Sequence, residues 1–145
     1  MKTEAGGFLA FRQVLSHVYS GMFDGLLERY DLTQMEVNIM LLLANNPQHD
    51  TAAEFIRCCG LSKSQVSTAV DDLTRRGYLQ RRLEGRRIHL SLLPAADPII
   101  REGRQCQIHF GDVILEGFTE EERKQLNELL RKLIGNARTA EKTLG

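Results

Sequence analysis

The sequence predicts a mainly α-helical fold that contains one short β-hairpin. Apolar residues recur at steps of three and four along most of the chain, which is typical of amphipathic helices. Two of these helical patterns are separated only by the tight turn Gly60-Leu61, and a basic segment with an alternating run, residues 80–92, predicts a hairpin. Helix, turn, helix and hairpin in this order describe a winged helix-turn-helix domain, here with further helices before and after it.

The N-terminal region predicts one long amphipathic helix, from Phe8 to Tyr30. Its apolar face is wider than a small winged domain needs to cover, and the pattern breaks at Asp31-Leu32. The next helix begins with a capping box, Thr33 to Glu36, and continues to about Asn45. Because nearly all of its residues are apolar, this helix is expected at the buried centre of the winged domain.

The second helix of the helix-turn-helix pair starts at Ser62, whose hydroxyl can cap it, and stops at Gly77. The apolar residues on one side of this helix are expected in the core: Val66, Val70 and Leu73. The alternating run from Ile88 to Leu92 then forms the returning strand of the hairpin.

Two more helices are predicted after the hairpin, because Pro94 and Pro98 force a break and a second capping box, Thr119 to Glu122, opens the last helix. The terminal helices carry apolar stripes that a copy of the same chain can cover. We therefore expect an N-terminal dimerisation helix, a winged DNA-binding domain and C-terminal dimerisation helices, at residues 1–31, 32–93 and 94–145 respectively.

Charge is distributed unevenly along the chain. The 145 residues have a formal net charge of zero, but the segment from Arg57 to Leu90 contains eight cations and three anions, a net charge of +5. A basic stripe on an otherwise acidic protein is the electrostatic pattern expected of a nucleic-acid-binding protein. A solvated basic surface is the alternative interpretation.

The rest of the composition favours a cytoplasmic protein. Three cysteines without a CxxC pair predict neither a disulfide framework nor a zinc ribbon. We find no signal-peptide pattern and no apolar stretch long enough for a membrane span, so no membrane partner is expected.

Several segments of the chain resemble the MarR family of bacterial transcription regulators. They are residues 32–37 (LTQMEV), 60–67 (GLSKSQVS), 70–79 (VDDLTRRGYL) and 81–92 (RRLEGRRIHLSL). The likeness covers essentially the whole chain, since the family also has one long helix before the winged domain and two after it. The resemblance implies a homodimer that binds pseudo-palindromic double-stranded promoter DNA, usually as a repressor, and releases it when a small molecule or an oxidant acts.

The resemblance also implies which residues contact DNA. The N-terminal part of the recognition helix faces the major groove, and wing arginines reach the minor groove or its phosphates. The implied DNA-binding residues are Ser62, Lys63, Ser64, Gln65, Ser67, Thr68, Arg75, Arg81, Arg86 and Arg87. Gln65 can pair with adenine, and Lys63 with guanine or phosphate. Two departures from the family pattern affect only the details of DNA contact. The wing is short around Gly85, and Thr68 stands where relatives often have arginine.

A small aromatic or apolar effector is the favoured signal. The resemblance places the family's pocket between the dimerisation helices and the winged domain, and the candidate lining residues are Phe11, Leu15, Tyr19, Met40, Cys106 and Phe110. The same residues would suit a plain core. Such a ligand acts only if it binds better to a dimer whose recognition helices are misspaced for DNA.

Other functions find less support in the residues. No enzyme motif is present and no cofactor is expected. Asp71 and Asp72 do not form a facing pair of carboxylates, because adjacent residues of a helix point in different directions. Asp71 is expected to orient an arginine instead. A metal site of Cys106, His109 and His17 is sparse, and ordinary packing is favoured over it. Three alternatives stay open: a protein-interaction module without DNA binding, a metal sensor, and an oxidant sensor at Cys58, beside the inert core thiol of Cys59.

Overall fold

The computed structural model describes residues 2–59 and 61–144, with the side chains of residues 7–57 and 61–144. In this part of the chain the elements are α1 (Lys2–Gly21), α2 (Asp24–Tyr30), α3 (Gln34–Asn45), α4 (Ala52–Cys59), α5 (Lys63–Arg75), β1 (Leu79–Glu84), β2 (Arg87–Leu92), a 3₁₀ turn (Pro94–Ala96), α6 (Asp97–Ile114) and α7 (Glu120–Leu144). The predicted fold class, mainly helical with one hairpin, is confirmed. None of the helices in the described ranges is long and apolar enough to cross a bilayer.

The chain divides into two compact units, residues 1–110 and residues 111–145. The first unit contains the winged domain with α1, α2 and most of α6, and the second contains the end of α6 and α7. This division follows packing within one chain. The three regions expected from the sequence concern DNA binding and dimerisation, and they remain a prediction.

The N-terminal helix is not continuous to Tyr30, so that prediction is wrong. Helix α1 ends at Gly21, and Phe23 N donates to Ser20 O at 3.0 Å, an i to i−3 bond that tightens the chain before α2 begins. Gly21 is a weak helix former, and the turn lets Phe23 and Leu26 enter the core, where both are buried. Burial therefore outweighs the continuous helical pattern.

Helix α3 lies at the centre of the first unit, as predicted. Val37, Ile39 and Met40 are fully buried. The capping box at its start is confirmed: Thr33 N donates to Glu36 Oε1 at 2.9 Å, and Glu36 N donates to Thr33 Oγ1 at 3.2 Å. The hydrophobic core of the winged domain is therefore built around one helix, whose start is set by its own capping box.

Helices α4 and α5 form the helix-turn-helix pair, although Gly60 in the turn lies outside the described residues. The predicted core positions of α5, Val66, Val70 and Leu73, are buried, which confirms the interpretation of its apolar side. The helix ends where Gly77 adopts a φ of 81°, and Tyr78 N donates to Leu73 O at 2.9 Å.

Strands β1 and β2 pair antiparallel in a register from Leu79↔Leu92 to Glu84↔Arg87. This register leaves only Gly85 and Arg86 in the loop. Gly85 has a φ of 63°, as the first central residue of a two-residue hairpin turn requires. The wing is thus as short as the sequence predicted, and Gly85 occupies a position that suits glycine.

The second unit is dominated by α7. Its capping box is confirmed, with Thr119 N donating to Glu122 Oε1 at 2.9 Å and Glu122 N to Thr119 Oγ1 at 3.1 Å. Helix α7, which is described throughout its length, buries none of its residues. Its large exposed apolar side chains are Leu129, Leu130, Leu133, Ile134 and Leu144.

Candidate DNA interface

The side chains implied to contact DNA lie at the start of α5 and along the wing. All ten are exposed: Ser62, Lys63, Ser64, Gln65, Ser67, Thr68, Arg75, Arg81, Arg86 and Arg87. The buried residues of α5 alternate with them at helical spacing, so the same helix serves the core with one side and presents polar groups with the other.

Some of the polar side chains of α5 are already engaged in hydrogen bonds within the helix and its N-terminal cap. Ser62 Oγ accepts from Gln65 N at 3.2 Å, and Gln65 Oε1 accepts from Ser62 N at 3.1 Å, which makes a third capping box. Thr68 Oγ1 donates to Ser64 O at 2.9 Å. A bidentate contact of Gln65 with adenine therefore requires its carbonyl oxygen to leave the cap, whereas its amide can donate without that change.

The cations of this interface fall into two groups: those that pair with a carboxylate and those that form no ion pair among the described residues. Arg81 pairs with Asp71 and Arg75 with Asp72, so the expectation that Asp71 orients an arginine is confirmed. Arg82 pairs with Glu84 at 3.4 Å. Among the described residues, three of the implied DNA-binding cations form no ion pair: Lys63, Arg86 and Arg87. Their charge is available at the N-terminal end of α5 and at the wing tip.

The base of the wing is held on two sides. Arg81 of β1 reaches Asp71 of α5, and His89 Nδ1 of β2 lies 2.6 Å from Asp50 Oδ1 in the loop before α4. Leu90 N also donates to Asp50 O at 2.8 Å. These contacts orient the hairpin relative to the recognition helix. No pattern in the sequence indicates that His89 is more than a surface residue of the strand.

Arg76 has a structural role that sequence reasoning missed. Its guanidinium donates to the carbonyl oxygens of Tyr30 and Asp31, both at 2.7 Å, and lies over the ring of Tyr78 at 5.4 Å. Asp31 ends α2 in the left-handed conformation, with a φ of 52°. Arg76 therefore joins the end of α2 to the end of the recognition helix.

The model of the MarR family matches residues 30–87, from the end of α2 to the first residue of β2. The winged domain of this chain is therefore similar to that of the MarR family. The matched range includes both helices of the helix-turn-helix pair, the first wing strand and the wing tip with Arg86 and Arg87.

Solved structures extend the likeness to most of the chain. A MarR protein from Peptoclostridium difficile is 16% identical with a TM-score of 0.81, covering 95% of this chain and 92% of that one. A MarR-family regulator from Silicibacter pomeroyi is 18% identical with a TM-score of 0.77, covering 87% and 86%. MepR of S. aureus, in a complex with DNA, is 20% identical with a TM-score of 0.71, covering 89% and 96%. The fold is that of MarR-family transcriptional regulators.

A comparison with the curated proteins finds no relative that is similar in sequence.

The first unit also contains a cleft of about 210 Å³ between α1, α3 and α6. Its lining residues are Tyr19, Asn38, Leu41, Leu42, Asn45 and Gln107. Gln107 Nε2 donates to Tyr19 Oη at 3.1 Å, and Asn45 Nδ2 donates to Gln107 Oε1 at 3.5 Å. Burial raises the pKa of Tyr19, which keeps its hydroxyl neutral. The cleft thus combines leucine side chains with uncharged hydrogen-bonding groups.

Of the six residues expected to line an effector pocket in this chain, Tyr19 is the one at the cleft. Phe110 makes an edge contact with Tyr19, with ring centroids 5.1 Å apart, while Met40 is fully buried in the core. Phe11 is exposed, and Leu15 and Cys106 are half-buried. The polar members of the cleft were missed because Asn38 and Asn45 of α3 meet Gln107 of α6 only through packing.

In the described part of the chain, neither the cysteine thiols nor the side chains that can bind metal ions come together in a site. Burial raises the pKa of the Cys106 thiol, which disfavours the reactive thiolate. No group of three or more His, Cys, Asp or Glu side chains that could hold a metal ion occurs among the described residues. The side chains of Cys58 and Cys59, to which the oxidant hypothesis refers, lie outside them.

Proposed function

We propose that this chain is a sequence-specific, double-stranded DNA-binding regulator of transcription. One observation carries the proposal: of the cations implied to contact DNA, the three that form no ion pair among the described residues, Lys63, Arg86 and Arg87, lie at the start of the recognition helix and at the wing tip. The MarR-family match and the fold shared with MepR, which was solved with DNA, support it.

In this function the start of α5 enters the major groove. Lys63 binds guanine or phosphate, Ser67 and the amide of Gln65 contact base edges, and the wing arginines enter the minor groove or bind its phosphates. Arg81 acts mainly through Asp71, which joins the wing to the recognition helix, whereas Arg75 pairs with Asp72 within that helix. We therefore assign direct DNA contact to the free cations and support to the paired ones.

The proposal includes a homodimer. Exposed apolar residues are frequent on α1, at Phe8, Leu9, Phe11 and Val14, and independently on α7, at Leu129, Leu130, Leu133 and Ile134. Large exposed apolar surfaces usually mark an interface. A second copy of the chain is the partner that would also supply a second recognition helix at a spacing of about 34–36 Å for a pseudo-palindromic site.

The regulatory part of the proposal is repression that a small molecule relieves. An uncharged aromatic ligand suits the cleft at Tyr19, because leucines cover an apolar ring and the carboxamides satisfy its polar groups. Helix α3, which contributes most of the cleft, also packs on α5. A ligand that separates α1 or α6 from α3 would favour a dimer with misplaced recognition helices.

Fluorescence anisotropy of labelled duplex DNA tests the proposal. A duplex from upstream of the protein's own gene should bind more tightly than a scrambled duplex, and the affinity should fall steeply with salt, because counterions are released from the phosphates. Phenol and benzamide, added as probes, should lower the anisotropy of the specific complex if the cleft regulates binding. An absence of duplex binding even at low salt would instead favour a winged protein-interaction module.

A further inference from the structure

Glu36 is a buried acid that the DNA-binding proposal does not use. It is only 5% exposed and lies in the first turn of α3, against the recognition helix. Its Oε1 accepts from Thr33 N at 2.9 Å in the capping box. Its Oε2 is buried, and no hydrogen-bond donor among the described residues reaches it. A buried carboxylate oxygen without a donor is unfavourable, so this oxygen needs a partner.

The group that faces Glu36 is another carboxyl. Asp72 of α5 lies within hydrogen-bonding reach of the Glu36 side chain. Asp72 is itself held by cations, since Arg75 pairs with one of its oxygens and Arg76 Nη1 lies 3.7 Å from the other. Two carboxylates this close cannot both be ionised without repulsion, whereas a single proton between them makes a charge-assisted hydrogen bond.

We propose that Glu36 is a positioning residue for the recognition helix, and that its protonated carboxyl donates a hydrogen bond to the Asp72 carboxylate. The proton belongs on Glu36, because Arg75 and Arg76 stabilise the charge of Asp72 and no cation faces Glu36 among the described residues. The bond joins the start of α3 to Asp72 and, through Arg76, to the carbonyl oxygens at the end of α2. The predicted effect on DNA binding rests on the proposed function, whereas the proton shared by Glu36 and Asp72 does not depend on it.

The second capping box provides an internal comparison. Glu122 occupies the same position relative to Thr119 as Glu36 does to Thr33. Hydrogen bonds from Thr119 lower the pKa of the exposed Glu122, whereas burial and the hydrogen bond with Asp72 raise the pKa of Glu36. The hydrogen bond with Glu36 in turn lowers the pKa of Asp72. The two boxes differ in burial and in the facing carboxyl.

The pH dependence follows from the direction of these shifts. Because the pKa of Glu36 is raised in the folded protein, the stabilisation from its proton is present at low pH and is lost as pH rises through the raised value. The contribution of Asp72, whose pKa is lowered, is lost only as pH falls through its lowered value. Between the lowered pKa of Asp72 and the raised pKa of Glu36, one shared proton joins the two helices. Above the raised pKa of Glu36, both carboxyls are ionised and repel each other.

A carbon-13 NMR titration of the side-chain carboxyl carbons tests the shared proton without DNA. In the wild type, Glu36 should titrate above an ordinary glutamate. In Asp72→Asn the facing amide can donate to the Glu36 carboxylate, so the titration should move to lower pH. If Glu36 titrates like an exposed glutamate, or at the same pH in both proteins, the proposal is wrong.

DNA affinity tests the positioning role. Glu36→Gln keeps the acceptor for Thr33 N and supplies a permanent amide donor to Asp72, so its affinity should not share the loss that the wild type shows as pH rises. As pH rises through the raised pKa of Glu36, the wild-type dissociation constant should rise roughly fivefold relative to that of Glu36→Gln, the change expected from one hydrogen bond of typical net strength.

The matched control is Glu122→Gln, which removes the same charge from the same motif and should follow the wild type at every pH. Parallel profiles for wild type and Glu36→Gln, or loss of DNA binding by a folded Glu36→Gln protein, would overturn the positioning role. If the wild type binds no DNA at any pH, the proposed function fails, and the NMR titration still decides whether Glu36 holds the proton.

Discussion

Gly103 illustrates how a single residue sets the distance between two helices. A Cβ atom built at this position in α6 would lie 3.0 Å from Leu41 Cδ2 and 3.1 Å from Cδ1 of the same side chain. Leu41 is buried in α3, so it has little room to move. Gly103 is buried in α6 together with Ile99 and Ile100, but only the packed structure reveals the close approach that favours glycine.

The variant Gly103→Ala should therefore destabilise the protein by about 1–3 kcal/mol, because the added methyl group overpacks the contact between α6 and α3. Urea denaturation measures this free energy of unfolding. The control is Gly111→Ala in the same helix, where a Cβ meets no atom within 4 Å. It should stabilise the protein by up to about 1 kcal/mol through helix propensity. Equal effects of the two variants would contradict the close-packing account.

At the scale of elements, local signals were the most predictable. Capping boxes were predicted at Thr33 and Thr119 and an N-cap at Ser62, and the structure contains all three, with Ser62 also forming a capping box. The break between α1 and α2 was not predicted, because the burial of Phe23 depends on packing against distant residues. The same holds for the contact of Arg76 with the end of α2, which joins positions 45 and 46 residues apart.

Arg76→Ala should lower the free energy of unfolding by about 1–3 kcal/mol, since it removes a charged donor from two carbonyl oxygens at the end of α2. The adjacent Arg75→Ala is the control. Its side chain is 74% exposed and pairs only with Asp72 in the described part of the chain, so its effect should stay within about 1 kcal/mol. Chemical denaturation of both variants tests this difference, and a larger loss for Arg75→Ala would contradict it.

At the scale of the whole molecule, the sequence predicted the fold class and the family from periodicity and motifs, because the winged domain repeats local patterns that are visible in order along the chain. The functional surface was less predictable. Ten exposed residues were implied to contact DNA, but which cations are free depends on ion pairs such as Arg81 with Asp71. The cleft at Tyr19 likewise collects residues from three helices that no sequence pattern connects.

The apolar side of α7 predicts the oligomeric state. Light scattering should give a mass about twice the 16.4 kDa of one chain, since a second copy would cover Leu129, Leu133 and their neighbours. Leu129→Glu/Leu133→Glu should shift the protein towards the monomer and weaken DNA binding, because the two recognition helices are no longer linked. Arg131→Glu/Lys132→Glu on the same helix is the control. A monomeric wild type would refute the proposed dimer.

The most direct test of the central claim is DNA binding by a protein that lacks the free cations of the wing. Fluorescence anisotropy should show that Arg86→Ala/Arg87→Ala binds the specific duplex at least roughly tenfold more weakly than the wild type and has a shallower salt dependence, because it makes fewer phosphate contacts. The control, Arg131→Ala/Lys132→Ala on α7, removes the same charge and should bind like the wild type. Equal weakening by both variants would mean that net charge, and not the wing, determines affinity. Unchanged binding by the wing variant would contradict the proposed DNA interface.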